Sequence, residues 1–532
     1  MRRIRRKERT QRMSDLTLQQ GDLMSTPSID YSIAPRDQSS THVSPPSFTA
    51  YCRGGLASSL CLLMICSSVY SANAKEKKPE KTSQSQEISS QKQSSRSGRF
   101  WFGSYGRVGF SSDESGGEGL KRQITAYAPR LIEDNYLELD LGYKAYRGRH
   151  AKVDVVTTIA AFDPLFHYNG TADAQLALRR VYAEAREIGG TQLWASLGSR
   201  WLRGNDIYLM NFWPLDDLNT VGLTLGHRGD RHEAWIHAGV SRLNHRSQTQ
   251  YVDVPASSYF GAESVLMLNR QRLILASLYE RRYALGERGG WKWKLYAEYH
   301  ALPSGEETLD GSYSDRRSLP NDAGLLAGLQ LGMWGFGHPS NHLNLWARYG
   351  RGLAIYDELG TPSAYNPERR SWDAEEWRLA LAGNLGLDKK HTFSIQWGAY
   401  IRRYTDADQV TVDYDDRAEG SVVMRPQLNL NGFFTPAVEA SAQWSQSFGA
   451  HPLTLSRDLA SVYQFALIPA ISFGRKKIDA YTRPQLRLIY AVSVLNDAAL
   501  SRYAPLDPRA QSNTAHYIGA RAEWWFGRGG GY

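Results

Sequence analysis

The run His516-Tyr517-Ile518-Gly519-Ala520-Arg521-Ala522-Glu523-Trp524-Trp525-Phe526 sorts its side chains onto two chemically opposed faces. Tyr517, Gly519, Arg521, Glu523 and Trp525 share one face, and Ile518, Ala520, Ala522, Trp524 and Phe526 share the other, because a strand has a side-chain period of two. One face suits water and the other an apolar medium. A half-buried strand of a soluble sheet carries the same alternation with its apolar side turned inward, so the remainder of the chain must decide which medium is which.

That alternation recurs from Arg99 onward. In Tyr136-Leu137-Glu138-Leu139-Asp140-Leu141 the carboxylates fall on one parity and the leucines on the other. Arg180, Tyr182, Glu184 and Arg186 oppose Val181, Ala183 and Ala185, and Tyr481, Arg483, Gln485 and Arg487 oppose Pro484, Leu486, Leu488 and Tyr490. Charges on a dry inner face are costly, whereas a wet lumen surrounded by lipid accommodates every such strand. The spacing predicts about 18 strands, among them single strands over 262–280 and 479–493. Short links such as Leu387-Asp388-Lys389-Lys390 alternate with long ones such as 302–321 and 353–371. The predicted fold is all-β: a transmembrane antiparallel β-barrel of about 18 strands with short periplasmic turns and long external loops. A soluble glycan-binding protein or enzyme would need the same strands wrapped around an apolar interior, which the inward charges oppose.

Only Gly55–Tyr70 is continuously apolar; it follows Arg53 and ends in Ser71-Ala72-Asn73-Ala74. Residues 51–74 therefore read as a secretory signal cut after Ala74, and residues 1–50 as an over-extended or disordered start. All three cysteines lie in or beside that signal, so the exported chain has no disulfides or thiolate ligands. Losing residues 1–74 removes nine Lys/Arg and five Asp/Glu and takes the net charge from +9 to +5, too little to argue for nucleic acid. Residues 75–98 are rich in Ser, Gln and Lys and read as a disordered linker, leaving 99–526 for the barrel and 527–532 as a tail.

Specific strings resemble the maltoporin-type sugar porins. Phe102-Gly103-Ser104-Tyr105-Gly106-Arg107 with Ser115-Gly116-Gly117-Glu118-Gly119 is similar to that family's first strand and loop, and Asn135 to Gly142 to its second strand. Leu193 to Arg200, continuing through Asn205-Asp206-Ile207-Tyr208-Leu209-Met210-Asn211-Phe212-Trp213, resembles the fifth strand and the third loop, which folds inward. Thr482 to Arg487 and Gly519 to Phe526 resemble the last two strands, while 245–420 matches only in pattern.

The resemblance implies a homotrimer of 18-stranded barrels in the outer membrane of a Gram-negative bacterium, passing oligosaccharides by facilitated diffusion. It also implies an aromatic row flanked by ionisable groups. Sugar rings stack their C–H faces on aromatic rings and exchange hydrogen bonds with charged groups at their edges, and weak repeated sites let the ligand leave again. Carried over residue by residue, the row is Tyr105, Tyr136, Tyr481 and Trp525, with Trp213 at the constriction. Phe166, or Tyr168, stands where the second loop lends a ring to a neighbouring subunit. The polar track is Arg107, Arg130, Glu138, Asp206 and an arginine at 179 or 180; similarity favours Arg179 and alternation favours Arg180. A periplasmic sugar-binding protein is a further implied partner.

The chain also departs from that pattern. The cysteine pair of the first loop is absent, an expected aspartate is Asn211, and the tenth-strand aromatic is replaced by an aliphatic near Leu325 to Ala327. A general diffusion porin without sugar selectivity is the alternative. No G-x-S-x-G, H-E-x-x-H or phosphate loop is present, so no catalytic residue, metal ligand or cofactor is assigned. Asp216-Asp217, Asp415-Asp416 and Glu306-Glu307 read as solvated loop carboxylates or adventitious cation sites.

Overall fold

The computed structural model describes residues 98–162, 170, 175–243, 245–256, 260–309, 315–355, 364–388, 392–408, 413–430, 432–474 and 479–527. The expected signal, the tail beyond Gly527, and the two second-loop aromatics Phe166 and Tyr168 lie outside them. Eighteen antiparallel strands close on themselves: β1 (Phe100–Ser112), β2 (Tyr136–Arg147), β3 (Lys152–Phe162), β4 (Gln175–Arg186), β5 (Leu193–Arg203) and β6 (Asp217–Arg228) come first. Then follow β7 (His232–Ser241), β8 (Arg272–Leu285), β9 (Gly289–Leu302), β10 (Asp322–Trp334), β11 (His342–Gly352) and β12 (Glu375–Gly386). The circuit ends with β13 (Phe393–Thr405), β14 (Arg417–Leu428), β15 (Ala437–Ser447), β16 (Ala460–Ile468 and Ala470–Ser472), β17 (Gln485–Leu495) and β18 (Thr514–Phe526). Pro469 interrupts β16 because it has no N–H to donate, yet its carbonyl still accepts from Leu488 N at 2.9 Å.

The last strand seals the barrel against the first, with Tyr105 opposite Trp525 and Arg107 opposite Glu523. Closure pairs the first strand with the last instead of leaving two free edges, which is what allows strands to cross an apolar layer. Outside, Phe110, Leu488, Phe465, Leu379 and Ile401 are exposed. Aromatic pairs ring both ends of this apolar surface: Tyr283 stacks on Trp291 at 4.4 Å and Phe100 meets Tyr143 at 4.7 Å at one end, and Tyr349 meets Trp377 at 4.5 Å at the other. Trp524 lies flat over Gly106, where any Cβ would collide with the indole, and donates Nε1–H to Ser104 Oγ at 3.1 Å.

Connections at one end run three to twelve residues and at the other eleven to thirty. Two strand expectations need correction. The expected 262–280 strand divides: Ala262–Asn269 pairs with Thr249–Pro255 in a loop hairpin, and the wall resumes only at Arg272. The strand expected from 479 begins at Gln485, leaving Tyr481 and Arg483 on the preceding connection. Apolar spacing alone cannot separate a loop hairpin from a wall strand, since both satisfy the same period.

The wall also loosens in one place. Ladder pairing between β4 and β5 stops at Val181 and Ser199, so Gln175–Arg180 and Arg200–Arg203 diverge. Gly198 sits at the parting with φ +126°, a conformation L side chains rarely adopt, and a Cβ there would strike the Val181 carbonyl.

A lumen wet throughout is also not what forms. Ile274, Tyr296, Leu326, Trp346 and Ala380 point inward from β8–β12 and pack against Ile207, Leu209, Met210, Phe212 and Leu215 of the loop after β5. That half of the interior is a dry core. Leu326, the aliphatic at the tenth-strand position, is 2% exposed and belongs to it.

Candidate functional site

The loop after β5 (204–216) leaves the wall and crosses the barrel. At its base Asn205 Oδ1 accepts from Lys292 Nζ at 2.6 Å and Gln330 Nε2 at 3.0 Å, while Asp216 faces Lys294 at 3.6 Å. At its tip Ile207 bridges back to Phe212 around a single 3-10 turn, with Asn211 at φ 52°. Asparagine and aspartate tolerate this left-handed conformation best among the non-glycine residues, so Asn211 fits the turn and brings no charge to it. The first loop clamps the tip from above: Tyr127 stacks on Phe212 at 3.6 Å, and Arg130 N donates to Leu209 O at 2.9 Å.

Between the tip and the β1–β4 wall lies an opening of 160 Å³. Three aromatic rings line it, from Tyr105, Tyr136 and Trp213. Three guanidiniums join them, from Arg107, Arg179 and Arg203, with Asn211 and Asp217 completing the rim. Tyr105 and Tyr136 face each other at 5.9 Å. Tyr105 is the ladder partner of Trp525, and Tyr208 stands 6.1 Å from Trp525 and 5.6 Å from Tyr481. Rings on β2, β1, β18 and the 479–484 connection thus form one run along the wall.

The expected polar residues gather on the same side. Arg130 donates to Tyr105 Oη at 2.8 Å and to Glu523 at 3.1 Å. Glu138 accepts from Tyr136 Oη and from Arg179, each at 2.5 Å. The choice between Arg179 and Arg180 dissolves: Thr158 pairs with Arg180 and Ile159 with Leu178, so Arg179 is the extra residue of a bulge. Both arginines turn inward, Arg179 to Glu138 and Arg180 to Asp140 at 2.8 Å, because a bulge cancels one step of alternation. Sequence reasoning missed Tyr208, Trp201, Arg203 and Asp217. Tyr208 lay within the 205–213 string, but its pairing with Tyr481 and Trp525 depends on where the loop lands. Arg203 lies over the Trp213 ring at 3.8 Å and bonds Asp217.

Burial pushes the Asp206 carboxyl from 3.8 up to about 6 against the pull of Arg130 and Arg203. Its native-state value exceeds the unfolded one, so its contribution to stability falls as pH rises from about 4 to 6 and is flat above that. Below about pH 6 the group is neutral and the constriction is more cationic. The expected result is a higher anion-to-cation permeability ratio at pH 5 than at pH 7.5. Asp206→Asn should remove that difference, read as the shift of zero-current potential under a salt gradient.

Beyond the constriction, Asp406, Asp408 and Asp413 of the loop after β13 bring carboxylate oxygens within 4.8 Å of one another. Burial and Asp416 push Asp413 up to about 8, so a shared proton can relieve the crowding.

A closed antiparallel barrel with an apolar exterior, aromatic girdles and an inward loop that narrows a polar passage defines an outer-membrane porin. The LamB porin family matches residues 100–526, and the chain belongs to that family. Its place is the outer membrane of a Gram-negative bacterium, with the long loops outside and the short turns in the periplasm. Similar solved structures include the outer-membrane channel DcaP of Acinetobacter baumannii (9% identity, 80% of this chain and 96% of that one, TM-score 0.41). OccAB2 of the same species (10%, 80% and 98%, TM-score 0.40) and OmpT of Vibrio cholerae (10%, 81% and 99%, TM-score 0.35) are others. No curated protein sequence matches.

Proposed function

We propose that this porin is sugar-selective and passes oligosaccharides by facilitated diffusion along Tyr136, Tyr105, Trp525 and Tyr481, with Trp213 closing the constriction from the loop side. The observation that carries this is the pairing of three rings with three guanidiniums around one 160 Å³ opening. Rings hold the apolar faces of a pyranose, and Arg107, Arg130, Arg179, Glu138 and Asp206 exchange hydrogen bonds with its hydroxyls. Each contact is weak, so the ligand moves on rather than being trapped. The working unit is a homotrimer. The diverging β4–β5 wall, with Leu176 and Leu178 exposed beside it, supports this, since an open sheet edge calls for cover. Phe166 or Tyr168 is then the ring that a second loop lends to a neighbouring subunit, and a periplasmic binding protein receives the sugar on the other side.

The test is planar-bilayer conductance with titrated maltose, sucrose and longer oligosaccharides. Concentration-dependent current block is expected; no block by any sugar would leave a general diffusion porin. Trp525→Ala and Tyr481→Ala should each raise the half-blocking concentration about twofold to tenfold, as loss of one ring contact of about 0.5–1.5 kcal/mol dictates. Open conductance should change little, and a failure to assemble would instead make these rings structural.

A further inference from the structure

The ion pairs on the β2–β5 wall are not symmetric. Their carboxylates sit behind and their guanidiniums in front. Side-chain exposure is 24% for Arg179 against 6% for Glu138, and 17% for Arg180 against 6% for Asp140. Asp154, at 9%, is flanked by Arg147 at 32% and Arg186 at 38%. Arg200 likewise fronts Glu184. Among the described residues the order reverses in two pairs: Lys152 at 43% against 55% for Glu187, and, where β5 meets β6, Arg203 at 14% against 30% for Asp217.

Two irregularities of the backbone build this face. The bulge at Arg179 adds a guanidinium beside Arg180. A second register shift, between Lys144 and Tyr146, turns Arg147 to the lumen beside Asp154, where strict alternation would have aimed it at lipid. Bulges re-aim side chains, and here both deliver arginine to the passage. From Arg179 to Arg186 the stripe runs seven residues of β4, about 23 Å at about 3.3 Å per residue, from the constriction to the periplasmic mouth.

We propose that the preferred cargo of this channel is an acidic oligosaccharide, one carrying carboxylate or sulfate groups. The inference rests on the sugar-selective reading above and deepens it. A guanidinium presents a planar fork of N–H donors that binds carboxylate or sulfate through paired charge-assisted bonds, stronger than its bonds to neutral hydroxyls. The resident carboxylates hold each arginine in place, and 17% to 38% of the Arg147, Arg179, Arg180 and Arg186 side chains stays exposed to the passage. Successive forks along β4 and the periplasmic end of β2 hand an anionic sugar inward, and the rings at the constriction read its pyranose faces. Asn211 at the rim is uncharged and adds no repulsion to an anion on that path.

Three trisaccharides of equal length separate the possibilities in a planar bilayer at pH 7: neutral maltotriose, trigalacturonate, and a sulfated maltotriose. The acids are expected to block at about tenfold lower concentration than maltotriose, an advantage of about 1.4 kcal/mol that shrinks with added salt. The acid that blocks at the lower concentration identifies the group. Arg147→Gln with Arg186→Gln should cut the advantage several-fold, while the charge-keeping pair Arg147→Lys with Arg186→Lys should retain most of it. Equal or stronger block by maltotriose overturns the acidic-cargo inference and leaves the sugar channel intact. No block by any of the three overturns both.

Discussion

Replacing Glu523 with glutamine is expected to loosen the constriction more than any other single change that conserves shape. Glu523 is 1% exposed on the closing strand, yet five separate elements converge on it. Arg130 of the first loop reaches it at 3.1 Å, Arg483 of the last periplasmic connection at 2.8 Å, and Tyr208 of the inward loop at 2.9 Å; Arg487 of β17 and, at 3.5 Å, the Tyr105 hydroxyl of β1 also bond it. Removing the charge leaves three buried guanidiniums facing one another, and breaking one side of a buried ion pair costs about 3–5 kcal/mol. The barrel itself should still form, because its ladders are untouched. The heat-modifiable gel shift should therefore occur at a lower temperature, and single-channel current should grow noisier as the loop fluctuates. An unchanged melting temperature and a quiet channel would show that Glu523 is not the fastening point.

The second large effect is expected from Leu209→Ala combined with Phe212→Ala. Both side chains are 2% exposed and seat the inward loop on the dry half of the barrel, under Tyr127 and against Tyr400. Emptying those sites costs about 2–5 kcal/mol for the leucine and about 3–5 kcal/mol for the phenylalanine, less any collapse of the neighbours. A loop without its seat no longer narrows the passage. Open conductance should rise several-fold and sugar block should fade, although Tyr105, Tyr136 and Trp525 stay on the wall. Conductance at the wild-type level would mean that the anchors at Asn205 and Asp216 suffice to hold the loop. The two variants are separable in outcome: the first weakens the clamp by charge and should respond to salt, and the second by volume and should not.

Which face of each strand meets water was legible in the sequence wherever alternation is unbroken. Tyr105, Arg107, Tyr136, Glu138, Glu523 and Trp525 take the inward parity read for them, because the two-residue period is fixed by local backbone sterics and survives any arrangement of neighbours. It failed where the backbone itself departs from the period. Arg179 and Arg147 turn inward only through bulges, and a bulge is set by how two strands meet rather than by either strand alone. Tyr481 reaches the aromatic run from a connection and not from a strand, through contact with a loop nearly three hundred residues earlier in the chain.

The sequence by itself therefore determined a membrane barrel of this strand number, the parity of its unbroken strands, and the string that narrows it. Only the tertiary structure decided that the string seats on Trp346, Leu326 and Tyr296, filling one half of the lumen with a dry core and confining the passage to the β18, β1–β4 side. The physical reason is that alternation encodes what each residue faces, whereas the position of a loop is chosen by packing among residues far apart in sequence, which no local period records.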